Sequence, residues 1–191
     1  MLLPDNIFFM SDNIEREAYK WRRFSRKKPV DIIKPGPGQE SIWDYPRPPK
    51  VEFFAKRIRV VFAGETIADS KRNYKVMETA SPPCYYIPQT DINMNYLIRS
   101  NHTSLCEWKG SATYWSVKVG DNISENAGWS YTLPWDGFEL IRDCIAFYAG
   151  RVDACFIDGE KVKPQAGNFY GGWITSNIVG PFKGERGTEY W

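Results

Sequence analysis

Apolar and polar side chains alternate in two segments of the chain, and each segment contains residues typical of a tight turn. Between residues 57 and 70, alternate positions are apolar up to a turn at Ala63–Gly64, after which the chain returns. Residues 152–162 repeat this plan around Asp158–Gly159, a dipeptide that strongly favours a hairpin. A period of two is typical of strands that bury one face, so we predict two β-hairpins.

Further short segments lie between these hairpins, rich in aromatic or β-branched residues and bounded by turn residues. They are Tyr74–Glu78, Cys84–Ile87, Leu105–Trp108, Ser111–Val119, Asn126–Tyr131 and Ile145–Tyr148. In the longest of them, Trp115 and Val117 share one phase and Tyr114 has the other. Within the body of the chain we predict a helix only at Asp136–Asp143, of two turns at most. Short strands at this spacing predict an all-β sandwich, barrel or folded sheet.

The regions outside this body differ in character. Residues 12–25 carry apolar side chains at helical spacing and end in a basic turn, which predicts a short amphipathic helix. Trp43 and Tyr45 indicate that the proline-rich segment around them packs on the domain. The predicted organisation is a basic helical arm (1–34), a Pro-rich linker packed on the domain (35–50), an all-β core domain (51–163) and a Gly/aromatic tail (164–191). We expect the tail, with six aromatic residues, to wrap the domain or to meet another subunit.

Composition excludes several protein classes. With 42% hydrophobic residues and a net charge of +2, the chain is too apolar and too weakly charged for a disordered protein. Its apolar runs are shorter than the roughly 20 residues needed to span a bilayer, so we predict no membrane partner. The 8 Trp, 11 Tyr and 11 Phe favour strands and flat aromatic surfaces.

The basic excess lies in the N-terminal arm. Residues 1–34 hold eight Lys or Arg against five Asp or Glu. One interpretation is a contact with nucleic acid or another anionic surface, and the other is a solvated helix end whose cations suit the helix dipole. We favour the second interpretation and do not expect nucleic acid as a partner, because the rest of the chain has no second basic patch.

Cysteine and histidine usage argues against a metal or cofactor site. The four cysteines are widely spaced without a C-x-x-C pair, and His102 is the only histidine, so we predict no metal and no cofactor. Without a secretory signal, we expect reduced thiols and a cytoplasmic protein. Both Met1 and Met10 fit as the start of translation. Phosphate-loop, dinucleotide and nucleophile-elbow motifs are also lacking, and we expect His102 to be an exposed loop residue.

A set of polar and aromatic residues on the middle strands remains as candidate chemistry. Its members are Glu78, Tyr86, Cys106, Lys109, Tyr114, Trp129 and Tyr131. Aromatic walls with a few acid, base or thiol groups are typical of a small-molecule pocket, so we predict that these residues bind a ligand. The alternative is an aromatic β core whose hydroxyls bond to the backbone.

Strand phase adds detail to this candidate site. Glu78 shares the phase of Val76 and would face inward with it, with Lys109 as the cation and Tyr86 as a hydroxyl donor. Alternatively, the chain bends at residue 79 and leaves Glu78 in water. Odd spacing places Cys106 and Lys109 on opposite faces unless a bulge intervenes. Glu107 and Lys109 share a face of the strand and are expected to form an exposed ion pair.

Several motifs in order resemble a known family. They are Val60–Ser70, Val76–Glu78, Tyr85–Pro88 with Asp91, Cys106–Gly110, Ala112–Trp115, Ala127–Tyr131 and Ile145–Tyr148. They resemble the family called domain of unknown function 427, also labelled nucleotidyltransferase-like, over about residues 40–163, and the flanks resemble its longer bacterial members. The resemblance implies a bent all-β fold of the Mss4-like, or β-tent, kind. It implies no established reaction, and the paired cysteines of zinc-binding proteins in that wider group are missing here.

Two hypotheses follow for function. The first is a small-molecule-binding protein with an aromatic pocket between β-sheets, and the sequence leaves open whether it is an enzyme. The second is a non-catalytic interaction module that uses its arms and aromatic surface, with the tail as a contact for a homo-oligomer.

Overall fold

β-Strands are the main secondary structure of the protein. The structure is a computed structural model that describes residues 16, 18–20, 22–23, 27–188 and 190–191. Its strands are β1 (Glu40–Ser41), β2 (Lys50–Phe54), β3 (Ile58–Phe62), β4 (Glu65–Ser70), β5 (Asn73–Glu78), β6 (Ser81–Pro88), β7 (Leu97–Cys106), β8 (Gly110–Val119), β9 (Asn122–Ser130), β10 (Cys144–Phe147), β11 (Ala154–Ile157), β12 (Glu160–Lys161), β13 (Lys163–Pro164), β14 (Trp173–Ile174) and β15 (Ile178–Val179). Short 3-10 helices occupy Ile42–Asp44, Gln89–Asp91, Met94–Tyr96, Glu139–Ile141 and Ala149–Arg151. The predicted all-β class is confirmed, while the β-tent type stays a prediction.

Two larger sheets carry the fold. One has seven strands in the order β2-β5-β6-β10-β9-β8-β7, and the other has four in the order β12-β11-β3-β4. The strand pairs within both sheets are antiparallel. Two small sheets join the flanking segments to this body, an antiparallel pair of β13 with β14 and a parallel pair of β1 with β15.

The seven-stranded sheet is buried on both faces. Ile87 and Phe147 point to a core that this sheet shares with Ile58 and Val60 of the four-stranded sheet. The intervening positions belong to a second cluster of mainly aromatic residues on the opposite face, which includes Tyr86, Tyr114, Trp129, Tyr131, Ala146 and Tyr148. Because side chains alternate along a strand, neighbouring residues of the same strand therefore serve different layers.

Both predicted hairpins are confirmed. The turn between β3 and β4 is Ala63–Gly64, with φ values of 48° and 80°, and the turn between β11 and β12 is Asp158–Gly159, with φ values of 49° and 89°. Positive φ at both positions matches the right-handed twist of the flanking strands. The predicted alternation in β8 is also confirmed, since Trp115 and Val117 contact the shared core and Tyr114 the opposite cluster.

Two local predictions are wrong. The strand predicted at Leu105–Trp108 is β7, which begins eight residues earlier, at Leu97, and ends at Cys106. As an edge strand, β7 exposes polar side chains, and its sequence therefore resembles a loop. The helix predicted at Asp136–Asp143 is only the 3-10 helix Glu139–Ile141, because that segment packs just Phe138 and Ile141 into the aromatic cluster.

The N-terminal prediction lies mostly outside the described residues. Of the helix predicted at 12–25, residues 16, 18–20 and 22 are described and are α-helical, and Ala18 is buried. Met1 and Met10 lie outside the described residues, as does Arg26 of the basic N-terminal arm.

The proline-rich segment and the tail pack on each other and on the larger sheets. Trp43 and Tyr45 are buried with Ile178 of β15 in a third cluster, and the Trp43 indole donates to the Pro181 carbonyl at 2.9 Å. The tail residue Trp173 is fully buried in the shared core. These contacts fit the expected packing of linker and tail, while the four-part division of the chain stays a prediction.

Candidate functional site

A cavity of about 460 Å³ lies over the aromatic face of the seven-stranded sheet. All seven residues that the sequence selected line this cavity, namely Glu78, Tyr86, Cys106, Lys109, Tyr114, Trp129 and Tyr131. The structure thus brings the whole predicted set together, and ligand binding by these residues stays a prediction.

Strand alternation positions the aromatic wall. Tyr114 of β8 pairs with Trp129 of β9, which in turn pairs with Ala146 of β10, so these residues share one face of the sheet. Tyr86 reaches the same face from β6, and its hydroxyl accepts a hydrogen bond from Trp129 Nε1 at 3.0 Å. The Trp129 ring also packs at 4.5 Å between centroids against Tyr148.

Lys109 and Cys106 enter the cavity from a tight turn. Residues 107–109 form the loop between β7 and β8, and Gly110 closes it with a φ of 90°. A Cβ at Gly110 would stand 2.9 Å from the Trp135 indole nitrogen, so both conformation and space require glycine there. The expectation that Cys106 and Lys109 lie on opposite faces is wrong, because strand parity does not extend through a turn.

The predicted exposed ion pair between Glu107 and Lys109 is also wrong. Lys109 is only 9% exposed, its Nζ lies 5.8 and 5.9 Å from the ring centroids of Tyr131 and Phe138, and its carbonyl accepts from the Trp135 N–H. Within the described part of the chain, the ammonium has neither a hydrogen bond nor an ion-pair partner. The position of Lys109 in the turn buries the charge in an aromatic environment.

The acidic neighbours of Lys109 determine its ionisation. Burial lowers the pKa of Lys109, and the nearby groups Cys106, Tyr86, Glu78 and Cys84 together raise it by more, so the net direction is upward. Near neutral pH, where Tyr86 and Cys84 are uncharged, Glu78 is the neighbouring carboxylate that favours the ammonium form of Lys109.

Glu78 lies in the cavity wall but has a different cation from the one predicted. Arg47 donates to its carboxylate at 2.9 Å, and the second guanidinium nitrogen lies 3.7 Å from Glu107. The expected pairing of Glu78 with Lys109 is therefore wrong. Strand β5 does end at Glu78, yet the carboxylate stays only 20% exposed because Arg47 covers it.

The hydroxyl groups of the cavity wall differ in their hydrogen bonding. Ser104 Oγ and the Tyr114 hydroxyl lie 2.8 Å apart, whereas the Tyr131 hydroxyl has no hydrogen-bond partner among the residues described. Burial raises the pKa of both Tyr86 and Tyr131 well above the ordinary value, so both remain protonated donors.

The tail forms the other side of the cavity. It contributes Gln165, Phe169, Tyr170, Gly171 and Lys183, and Ala18 of the N-terminal arm also lines the cavity. The sequence predicted that the tail packs on the domain, but it did not indicate that the tail forms this wall of the cavity.

The N-terminal arm also contacts the turn that carries Lys109. Arg22 Nε donates to the Glu107 carbonyl at 2.6 Å, and its guanidinium lies 5.5 and 5.0 Å from the rings of Trp108 and Trp135. Arg22 of the basic N-terminal arm therefore packs on its own chain.

Cys84 is an acid of the cavity wall that burial holds neutral. Burial raises its pKa to about 12, and the opposing effect of Lys109 is smaller. Because the unfolded thiol loses its proton above about pH 8.5, this shift also lowers stability as the pH rises from about 9 towards 12.

We expect Cys84 in the folded protein to react with iodoacetamide about a thousandfold more slowly at pH 8 than in the urea-unfolded chain, since the thiolate is the nucleophile. Its rate, followed by peptide mass spectrometry, should rise about tenfold per pH unit from pH 8 to 11, while the unfolded chain levels off near pH 9. A plateau near pH 9 in the folded protein would contradict the buried, neutral thiol.

The cysteines and His102 were further candidates for chemistry. All four cysteines are free. His102 is exposed, as predicted, but it lies in strand β7 and not in a loop, with its ring 4.5 Å from that of Tyr114. Among the described residues, no group of three or more His, Cys, Asp or Glu is placed to hold a metal ion. No helix in the same part of the chain has both the length and the apolar character needed to cross a membrane.

Comparison with known proteins gives a family without a reaction. No curated protein matches the chain. A family model described as a domain of unknown function (DUF427) matches residues 50–158, which is more than half of the chain and includes the strands β2 to β11. The resemblance that the motifs indicated is confirmed: the chain belongs to the DUF427 family.

Proposed function

We propose that this protein binds a small molecule in the cavity over the aromatic face of its seven-stranded sheet. The observation that carries the proposal is a cavity of about 460 Å³, within the range of small-molecule sites, lined by aromatic rings and a few buried polar groups.

The packing of the cavity walls supports a ligand over the alternative of an aromatic core. Protein interiors normally contain few voids larger than a water molecule, because each missing contact costs stability. Here the tail and the sheet pack around a space that no described side chain fills, although Trp173 of the same tail is fully buried in the shared core. Self-association through the tail, an interaction module and a cytoplasmic location stay predictions.

The neutral fluorophore N-phenyl-1-naphthylamine, which brightens in apolar surroundings, tests the cavity directly. We expect one molecule to bind per chain with a rise in fluorescence. Cys106→Phe, which puts a ring into the cavity, should weaken binding at least about tenfold, equivalent to about 1.4 kcal/mol.

Ile123→Phe is the matched control, because Ile123 is exposed on β9 and does not line the cavity. It should bind the fluorophore as the wild type does. Equal binding by wild type and Cys106→Phe, or no binding by the wild type, would contradict the proposed function.

A further inference from the structure

Three lysines of this protein are buried to a similar extent but differ in their partners. Lys75 is 7% exposed, and its Nζ lies 2.6 and 2.7 Å from the two carboxylate oxygens of Glu40. Lys109 is 9% exposed, and no described residue bonds to its ammonium. Lys183, a third lysine at 9%, donates to the Trp191 carbonyl at 3.0 Å.

An unpaired buried ammonium is unfavourable for folding. Removing a charge from water costs free energy that only a counter-ion or hydrogen-bond acceptors restore. Lys75 shows that this fold can supply a carboxylate to a buried lysine, and Glu78, which lines the same cavity as Lys109, is bonded to Arg47 instead. A bound ligand would supply the partner that the described residues do not give to Lys109.

Two hydroxyl groups beside Lys109 also have unused donors. Tyr86 Oη accepts from Trp129 Nε1, which leaves its own proton without an acceptor in the described structure. Tyr131 Oη has no hydrogen bond there at all, and the Tyr86 and Tyr131 rings lie 6.3 Å apart. One ammonium and two hydroxyls that all need an acceptor form a receptor for an anionic oxygen.

We propose that Lys109, Tyr86 and Tyr131 bind the carboxylate of an aromatic or otherwise apolar ligand. This inference rests on the proposed function and deepens it by naming the class of ligand. Lys183 also lines the cavity, but its ammonium donates to the Trp191 carbonyl. Because the carboxylates of Glu78 and Glu107 line the cavity as well, a single negative charge is favoured over a phosphate dianion. The aromatic walls formed by Trp129 and Tyr148 match a flat apolar body.

Three probes of the same shape separate charge from size: 2-naphthoate, 2-naphthamide and 2-naphthyl phosphate, titrated by calorimetry into the full chain. We expect wild type to bind 2-naphthoate at least about tenfold more tightly than 2-naphthamide, as a charge-assisted bond to a buried ammonium predicts. Lys109→Met should abolish that preference, because it weakens binding of 2-naphthoate by a larger factor than binding of 2-naphthamide. Tyr131→Phe should weaken 2-naphthoate binding by about three- to tenfold.

Lys75→Met is the matched control for burial and charge. It should lower the melting temperature, because Glu40 loses its cation, and should keep the preference for 2-naphthoate. Lys109→Met should keep or raise the melting temperature, since an ammonium without a hydrogen bond or ion pair to any described residue is replaced by an apolar side chain of similar length. A folding defect in Lys109→Met would itself contradict the proposal, because it would show that Lys109 stabilises the empty protein.

The other outcomes also decide between the ideas. Equal affinity for 2-naphthoate and 2-naphthamide overturns the carboxylate receptor and leaves the proposed function standing. Tighter binding of 2-naphthyl phosphate overturns the monoanion in favour of a phosphate ester. If none of the three 2-naphthyl probes binds but N-phenyl-1-naphthylamine does, the carboxylate receptor is wrong and the proposed function stands. If N-phenyl-1-naphthylamine does not bind either, both proposals are wrong.

Discussion

Replacing Trp173 with alanine is expected to lower the free energy of unfolding by about 3–5 kcal/mol, the usual cost of removing a large aromatic side chain from a core. Trp173 is fully buried, and its ring lies 5.4 Å from that of Tyr85 on β6. Its Nε1 donates to the Phe147 carbonyl at 2.8 Å, so the substitution also leaves a buried acceptor without its donor. Urea denaturation followed by circular dichroism measures the difference.

Phe169→Ala is the control from the same segment of chain. Phe169 is 67% exposed, so its removal should change the free energy of unfolding by less than about 1 kcal/mol. Equal effects of the two substitutions would contradict a tail that is anchored through Trp173.

The anchoring of the tail bears on the predicted homo-oligomer. Trp173 is committed to the core of its own chain and is inaccessible to a second copy. A contact through the tail would therefore have to use its exposed aromatic residues, Phe169 and Tyr190. An unchanged elution volume for Phe169→Ala combined with Tyr190→Ala would argue against that contact.

Local patterns predicted much of the fold and most of the cavity wall. The hairpin turns at Ala63–Gly64 and Asp158–Gly159 depend on residues that are adjacent in sequence, and both formed as expected. The period of two in a strand is equally local. It separated Tyr114 from Trp115 and Val117 on β8 without any knowledge of how the strands are ordered.

The errors occur where long-range packing or turn geometry decides. Strand β7 is polar because one edge of the sheet is open, which the sequence of the strand does not reveal. Lys109 enters the cavity because the turn ends at Gly110, so counting alternate positions from Cys106 gave the wrong side. In both cases the local pattern was read correctly, but another element determined the outcome.

The partners of the charged residues were the least predictable feature. Arg47 bonds to Glu78 across 31 positions, and Lys75 bonds to Glu40 across 35. Both Arg47 and Glu40 belong to the proline-rich segment, whose sequence gives only its extended character. No local spacing rule relates such pairs, and for this reason Lys109 was assigned the carboxylate that Arg47 in fact binds.

Gly171→Ala is expected to lower the free energy of unfolding by about 1–3 kcal/mol and to weaken binding of N-phenyl-1-naphthylamine. An added Cβ would stand 2.1 Å from Trp129 Cη2, far inside contact distance. Trp129 has little freedom to move, because it is bonded to Tyr86 and packed against Tyr148. Either the tail lifts from the cavity or the indole shifts into it, and both changes alter the binding space.

Gly150→Ala is the matched control for this substitution. Its added Cβ would have Pro164 Cβ as nearest neighbour at 3.5 Å, an ordinary contact, and the site lies outside the cavity. We therefore expect the control to keep both the unfolding midpoint in urea and the affinity for the fluorophore. Wild-type stability in Gly171→Ala would mean that the tail does not press against Trp129, and the cavity would then lack the wall that separates it from solvent on that side.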